Sequence, residues 1–124
     1  MSASELPPDV RRFVLTSIPS VPFLEAVLLL RSDRGANWDA SSLARRLYVP
    51  ERTATELLGQ LRESGIAQDG GGTVRYAPAA ELAELLDRVA HAYASDLVAV
   101  SSLIHSRIDR RAQQFADAFR FRKE

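Results

Sequence analysis

No cysteine occurs among the 124 residues. That absence removes disulfides, thiolate zinc sites, iron–sulfur ligation and cysteine nucleophiles together. Histidine is almost as scarce, with only His91 and His105. On one continuous helix they would stand ~21 Å apart, too far to share a metal ion, so both are expected to be surface or interface residues and no metal site is expected. Long apolar runs are missing as well: the longest, Ala26 to Leu30, falls far short of the ~20 residues a membrane span needs. The first nine residues hold Glu5 and Asp9 without an apolar stretch, so no secretory signal is expected there and a cytoplasmic protein is. Nor is there an excess of charge of either sign, because 16 Lys and Arg balance 16 Asp and Glu. A strongly basic nucleic-acid binder would carry more cations, since affinity for DNA rests largely on neutralising phosphates. A local basic patch remains compatible with that balance.

Signatures of catalysis are also lacking. No Ser/His/Asp set, paired-carboxylate site or phosphate loop can be assembled. Gly70-Gly71-Gly72 is no phosphate cradle, because no helix start follows it directly and no Lys with Ser or Thr completes it. A non-enzymatic protein without a cofactor is therefore expected.

What is present is ordinary globular composition, with 46% apolar and 26% charged residues. Pro7 and Pro8 sit where a helix accepts proline, and Val10, Phe13, Val14 and Ile18 follow at helical spacing, predicting a helix to about Ser17. Ser20 can cap a second helix entering at Pro22. Phe23, Leu24, Val27, Leu28 and Leu30 make that helix apolar around most of its circumference, so it belongs in the core. Ser32 to Asn37 reads as a turn, and Trp38 as a core or strand residue just before it gives way to Asp39. Asp39 can cap a helix beginning at Ala40, with Leu43, Ala44 and Leu47 in one stripe. Pro50 reopens a helix at its first position, with Ala54, Leu57, Leu58 and Leu61 inward, and Ser64-Gly65 ends it through a left-handed cap. Two short strand-like runs, Ile66–Asp69 and Thr73–Ala77, flank the three glycines and predict a β-hairpin. From Ala79 to Ser106 the apolar period runs on without Gly or Pro, predicting one helix ~40 Å long. Arg107 to Arg111 is a charged break, and Phe115, Phe119 and Phe121 mark an aromatic-faced tail that needs cover.

The fold class expected from this order is mainly α with a small β-hairpin. The stretch from Asn37 to Ile66, with Leu43-Ala44, Leu47, Leu57, Leu61 and Gly65-Ile66 at their spacings, resembles winged helix-turn-helix regulators of the MarR-like and related bacterial families. The resemblance covers about Val21 to Ala77. It implies a winged helix-turn-helix domain over residues 1–78, and a C-terminal helical extension over 79–124 similar to the helices that pair subunits in dimeric members. In the family the second helix of the motif enters the major groove and the wing touches the backbone or minor groove. Carried over, Arg52, Thr53, Thr55 and Gln60 would face bases or phosphates, with Glu56 and Gly59 on the same face. Arg52 would suit guanine and Gln60 adenine. Ser41, Ser42, Arg45 and Arg46 would hold phosphates, and Arg75 is the cation of the wing.

The charge pattern keeps a second reading open. Residues 36–72 carry four cations against five anions, and Asp69 stands beside the glycine tip. A winged-helix module that holds a protein partner instead of DNA would suit that pattern. The length of the last helix, and its stripe of Leu86, Val89, Tyr93, Leu97, Val100 and Ile104, predict pairing with the same helix of a second subunit in a homodimer.

Overall fold

The structure, a computed structural model, describes residues 6–106. The expectations placed on residues 1–5 and on the tail from Arg107 lie outside the described residues. Among the described residues, six helices and one two-stranded sheet follow in the order α1 (Pro8–Ser17), α2 (Val21–Ser32), α3 (Ala40–Leu47), α4 (Glu51–Glu63), β1 (Ala67–Asp69), β2 (Val74–Tyr76), α5 (Ala80–Ser95) and α6 (Leu97–Ser106). The fold is thus mainly helical with a small antiparallel sheet, as the patterning predicts. No single helix among the described residues is long and apolar enough to cross a membrane. The chain divides into two compact units, one spanning Val21–Asp87, the other joining the residues before Val21 to those after Asp87.

In the first unit α2 is the central element, and Phe23, Leu24, Ala26, Val27 and Leu30 are buried on it. It packs against α3, α4 and β2. Leu43, Ala44, Ala54, Leu57, Leu58, Leu61, Ile66, Val74 and Tyr76 complete this core. Burial of these side chains supplies the main driving force, about 1.5–3 kcal/mol for each large aliphatic residue fully removed from water.

The start of α3 is fixed by a reciprocal cap. Ser42 N–H donates to Asp39 Oδ1 at 2.8 Å, and Asp39 N–H donates to Ser42 Oγ at 3.0 Å. These backbone and side-chain hydrogen bonds from Ser42 hold the Asp39 carboxyl below the 3.8 of an ordinary aspartate. A depressed folded-state value contributes stability above the unfolded value, and that contribution is lost as pH falls through the lower, folded one. The melting temperature is accordingly expected to drop in the acid range below about pH 4. Asp39→Asn keeps a capping side chain that does not titrate, and is expected to flatten part of that drop. An acid profile identical to the wild type would remove Asp39 as a contributor.

α3 ends on a strained residue. Tyr48 lies in the left-handed region at φ 58°, ψ 46°, its N–H donating to the Ala44 carbonyl. Val49 N–H donates to the same carbonyl at 3.1 Å, closing the reversal between α3 and α4. A β-carbon in that conformation costs roughly 1–2 kcal/mol, and glycine avoids it. With 94% of its surface exposed, the Tyr48 ring buries little that would offset the strain. Tyr48→Gly is therefore expected to raise stability by about 1 kcal/mol, the relief exceeding the extra chain entropy glycine brings to the unfolded state. Urea denaturation with an unchanged m-value would check it, and a loss of stability would contradict it.

Pro50 occupies the cap of α4 rather than its first helical position; its carbonyl accepts the Ala54 N–H at 3.0 Å. A proline at the cap leaves no donor unsatisfied, which explains the shift by one residue. At the other end, Gly65 N–H donates to the Arg62 carbonyl and Ile66 N–H to the Leu61 carbonyl, both at 3.1 Å. Gly65 has φ +79°. That is the paired-bond termination glycine favours, with its usual apolar contact supplied by buried Leu61 and Ile66.

The hairpin pairs Ala67 with Tyr76, Gln68 with Arg75 and Asp69 with Val74. Its tip closes through Gly70 N–H to the Thr73 carbonyl at 2.7 Å, and Gly71 and Gly72 take positive φ. Trp38 adds a third short segment, exchanging two N–H···O bonds of 2.8 Å with Val74. Its side chain is 5% exposed, a core residue as the sequence predicts.

The single helix expected over residues 79–106 is corrected by the structure to two. Asp96 separates α5 from α6, its carboxylate accepting the Ala99 N–H at 3.1 Å. An aspartate capping a new helix competes with continuation of the old one, and Ser95 before it adds to that preference. Apolar spacing survives the break, which is why period alone did not reveal it. His91 and His105 consequently stand on different helices. In the second unit Val10, Val14 and Ile18 are buried, as are Val89, Ala92, Val100 and Ile104. Asp9 there accepts hydrogen bonds from Val10 N–H and Arg88. Desolvation pushes its carboxyl up, but the bonds from Arg88 and Val10 outweigh this and leave it below the ordinary value.

Candidate nucleic-acid interface

Packing α3 against α4 buries the stripe of Ala54, Leu57, Leu58 and Leu61 and so determines what α4 offers to solvent. Arg52, Thr55, Glu56 and Gln60 are exposed, and Thr53 and Gly59 partly so. Glu51, Arg62 and Glu63 are exposed on the same helix. Arg75 is the exposed residue between buried Val74 and Tyr76 on β2.

The side chains that the resemblance would place at DNA differ in what they are free to do. Arg45 Nη1 donates to Ser41 Oγ at 2.8 Å. Ser42 is committed to the α3 cap, and Thr55 Oγ1 donates back to the Glu51 carbonyl at 2.9 Å. The Arg46 guanidinium lies 5.6 Å above the Trp38 ring, a cation–π contact that leaves its charge exposed on the outer side. Arg62 pairs loosely with Asp69 at 3.4 Å. Arg52, Gln60 and Arg75, by contrast, form no side-chain hydrogen bond or ion pair with the described residues. The Arg52–Glu56 pair that helical spacing allows is not made, so the Arg52 guanidinium is available to a ligand.

Electrostatically this is a mixed surface. Glu51 and Glu56 flank Arg52, Glu63 stands at the far end of α4, and the charge of Arg62 is partly neutralised by Asp69. A second charged cluster lies at the end of α2. Arg31 Nε and Arg34 Nη2 both reach Asp87 Oδ1, at 2.8 and 3.4 Å, tying the first half of α5 to α2. Arg34 also lies 5.6 Å over the Tyr76 ring. Burial raises the Tyr76 phenol, against the opposing pull of Arg34. Exposed pairs of this kind are worth ~0–1 kcal/mol each, so the cluster positions more than it stabilises.

Of the six residues expected at a subunit seam, Leu86, Val89, Val100 and Ile104 have no exposed surface within a single chain. Tyr93 is partly covered. Leu97, 54% exposed, and its neighbour Val98, 71% exposed, are the open apolar positions of that region. Sequence reasoning passed over Tyr48, whose exposure and left-handed backbone have no signature beyond an aromatic residue where the apolar stripe of α3 stops.

Comparisons with protein-family models, with curated proteins and with solved structures return no match.

Proposed function

We propose that this chain is a bacterial transcription regulator of the winged helix-turn-helix class, working in the cytoplasm as a dimer on duplex DNA. The observation that carries the reading is the unpartnered Arg52 on the solvent face of α4, between Thr53, Thr55 and Gln60, on the second helix of a tightly packed pair followed by a hairpin. On this reading the first turns of α4 enter the major groove. Arg52 donates two hydrogen bonds to the O6 and N7 of a guanine, and Gln60 reads an adenine. Arg45 at the end of α3 and Arg75 on the hairpin meet phosphates, which set register without reading sequence. The Trp38–Val74 bridge supports this by anchoring the hairpin to the segment that leads into α3.

Selection of the purified protein against random duplex DNA at ~150 mM salt tests the proposal, because weak phosphate attraction is suppressed there. Enrichment of a palindrome with half-sites about one helical turn apart is expected. The second reading, a winged-helix module for a protein partner, is favoured by the three unpaired glutamates of α4. No enriched sequence from folded protein would move the assignment to it.

A further inference from the structure

We infer that the groove between α2 and the end of α3 is where a second copy of this chain docks. The inference rests on the dimeric half of the proposed function, not on DNA binding. Glu25, Leu28 and Leu29 of α2 and Arg46, Leu47 and Tyr48 at the end of α3 line an open groove of about 430 Å³. A helix apolar around nearly its whole circumference is a core helix. Yet Leu28 and Leu29 are only partly covered within the chain, as is Leu47 facing them, so one side of α2 lacks its cover. Tyr48 stands at the edge of the groove with 94% of its surface exposed, in a backbone conformation that glycine would adopt without strain. Backbone strain kept at an exposed aromatic is a mark of function rather than folding, and tyrosine is among the residues that dominate interfaces.

Charge decides the occupant. Glu25 and Arg46 line the same groove, and neither has an ion-pair partner among the described residues. A patch carrying one charge of each sign beside an apolar floor is complementary to itself: a two-fold axis brings each Glu25 to Arg46 of the partner subunit and closes leucine on leucine. A second copy supplies both countercharges by symmetry alone. Four of the six residues expected at the seam, Leu86, Val89, Val100 and Ile104, are already covered within one chain, and on this inference the groove takes over their role.

Sedimentation velocity on charge-swapped full-length chains tests this. Wild type is expected to be dimeric at micromolar concentration. Glu25→Arg and Arg46→Glu should each weaken the dimer about 10-fold or more, since each places like charges opposite one another. An equimolar mixture of the two should recover the dimer mass, because each Arg then meets a Glu, and the double variant should dimerise like wild type. Tyr48→Gly should weaken the dimer, and at dilutions where wild type and variant are both dissociated it should melt higher than wild type, which separates the interface from any folding defect. Single swaps that leave the dimer unchanged, or a mixture that stays monomeric, would overturn the groove. If Leu97→Glu then dissociates the protein, the dimeric reading survives with its seam elsewhere. A monomeric wild type would sink both.

Discussion

Leu61→Ala is expected to remove about 2–5 kcal/mol of stability, a large share of the roughly 5–15 kcal/mol that holds a domain of this kind. Leu61 is fully buried, and its side chain and its backbone do different work. Its side chain fills the core between α4 and the rest of the first unit. Its carbonyl accepts the Ile66 N–H that turns the chain out of α4 toward the hairpin. Truncation leaves the carbonyl in place but removes the apolar contact with Ile66 that accompanies the turn, and opens a cavity the neighbours refill only in part. Leu82, only partly covered on α5 and outside the groove, is the comparison: its alanine variant loses less, because less surface is buried to begin with. Urea denaturation of both variants decides the matter. A cost at Leu61 no larger than at Leu82 would mean that α4 is not seated on the stripe described here.

Much of the first unit was legible because local chemistry and apolar period agree there. Asp39 followed by a stripe at Leu43, Ala44 and Leu47 has one sensible interpretation, and the cap forms as expected, with Ser42 returning the second hydrogen bond. Gly65 after Ser64 is equally determinate, since a left-handed residue is needed and glycine supplies it. The three glycines between two short apolar runs located the hairpin to within a residue at each strand. The failure came where period was the only guide. Leu86, Val89, Tyr93, Leu97, Val100 and Ile104 keep a helical repeat through Asp96, yet the Asp96 carboxylate starts a new helix. Apolar spacing reports which side chains seek cover and is silent on whether the backbone between them is continuous. It is equally silent on what supplies the cover: Leu86, Val89, Val100 and Ile104 find theirs within one chain, and Leu97 stays open.

The site was legible as a face and not as a set of contacts. Four inward residues of α4 fix the outward ones by geometry, so the exposure of Arg52, Thr55, Glu56 and Gln60 follows from the stripe. Which of them are free does not follow. Spacing allows Arg52 to pair with Glu56, and it does not. Ser42, expected at a phosphate, completes a cap within the chain, which spacing does not reveal. Tyr48 had no pattern to betray it, because exposure and a positive φ at a non-glycine residue are properties of the folded turn.

The freedom of Arg52 underlies the second large effect. Arg52→Ala is expected to weaken binding to the selected duplex by about 1–3 kcal/mol and to relax sequence preference at one base pair of each half-site. The loss arises because a bidentate guanine contact has no neutral substitute: the O6 and N7 acceptors stay desolvated in the groove without donors. No other cation of α4 can take over, since Arg62 stands ten residues further on, roughly 15 Å along the helix, and the remaining charges are glutamates. Arg75→Ala supplies the contrast. A phosphate contact carries no sequence information, so that variant should bind all sequences more weakly in proportion and lower the salt slope by about 1. Binding isotherms over a salt series, on the selected site and on single-base variants of it, separate the two. If Arg52→Ala behaved like Arg75→Ala, lowering affinity evenly across sequences, Arg52 would be a phosphate ligand and the reading of bases would have to move to Thr53, Thr55 and Gln60. If it changed nothing, α4 would not be the element that meets DNA, and the glutamates around Arg52 would become the better guide to what this face binds.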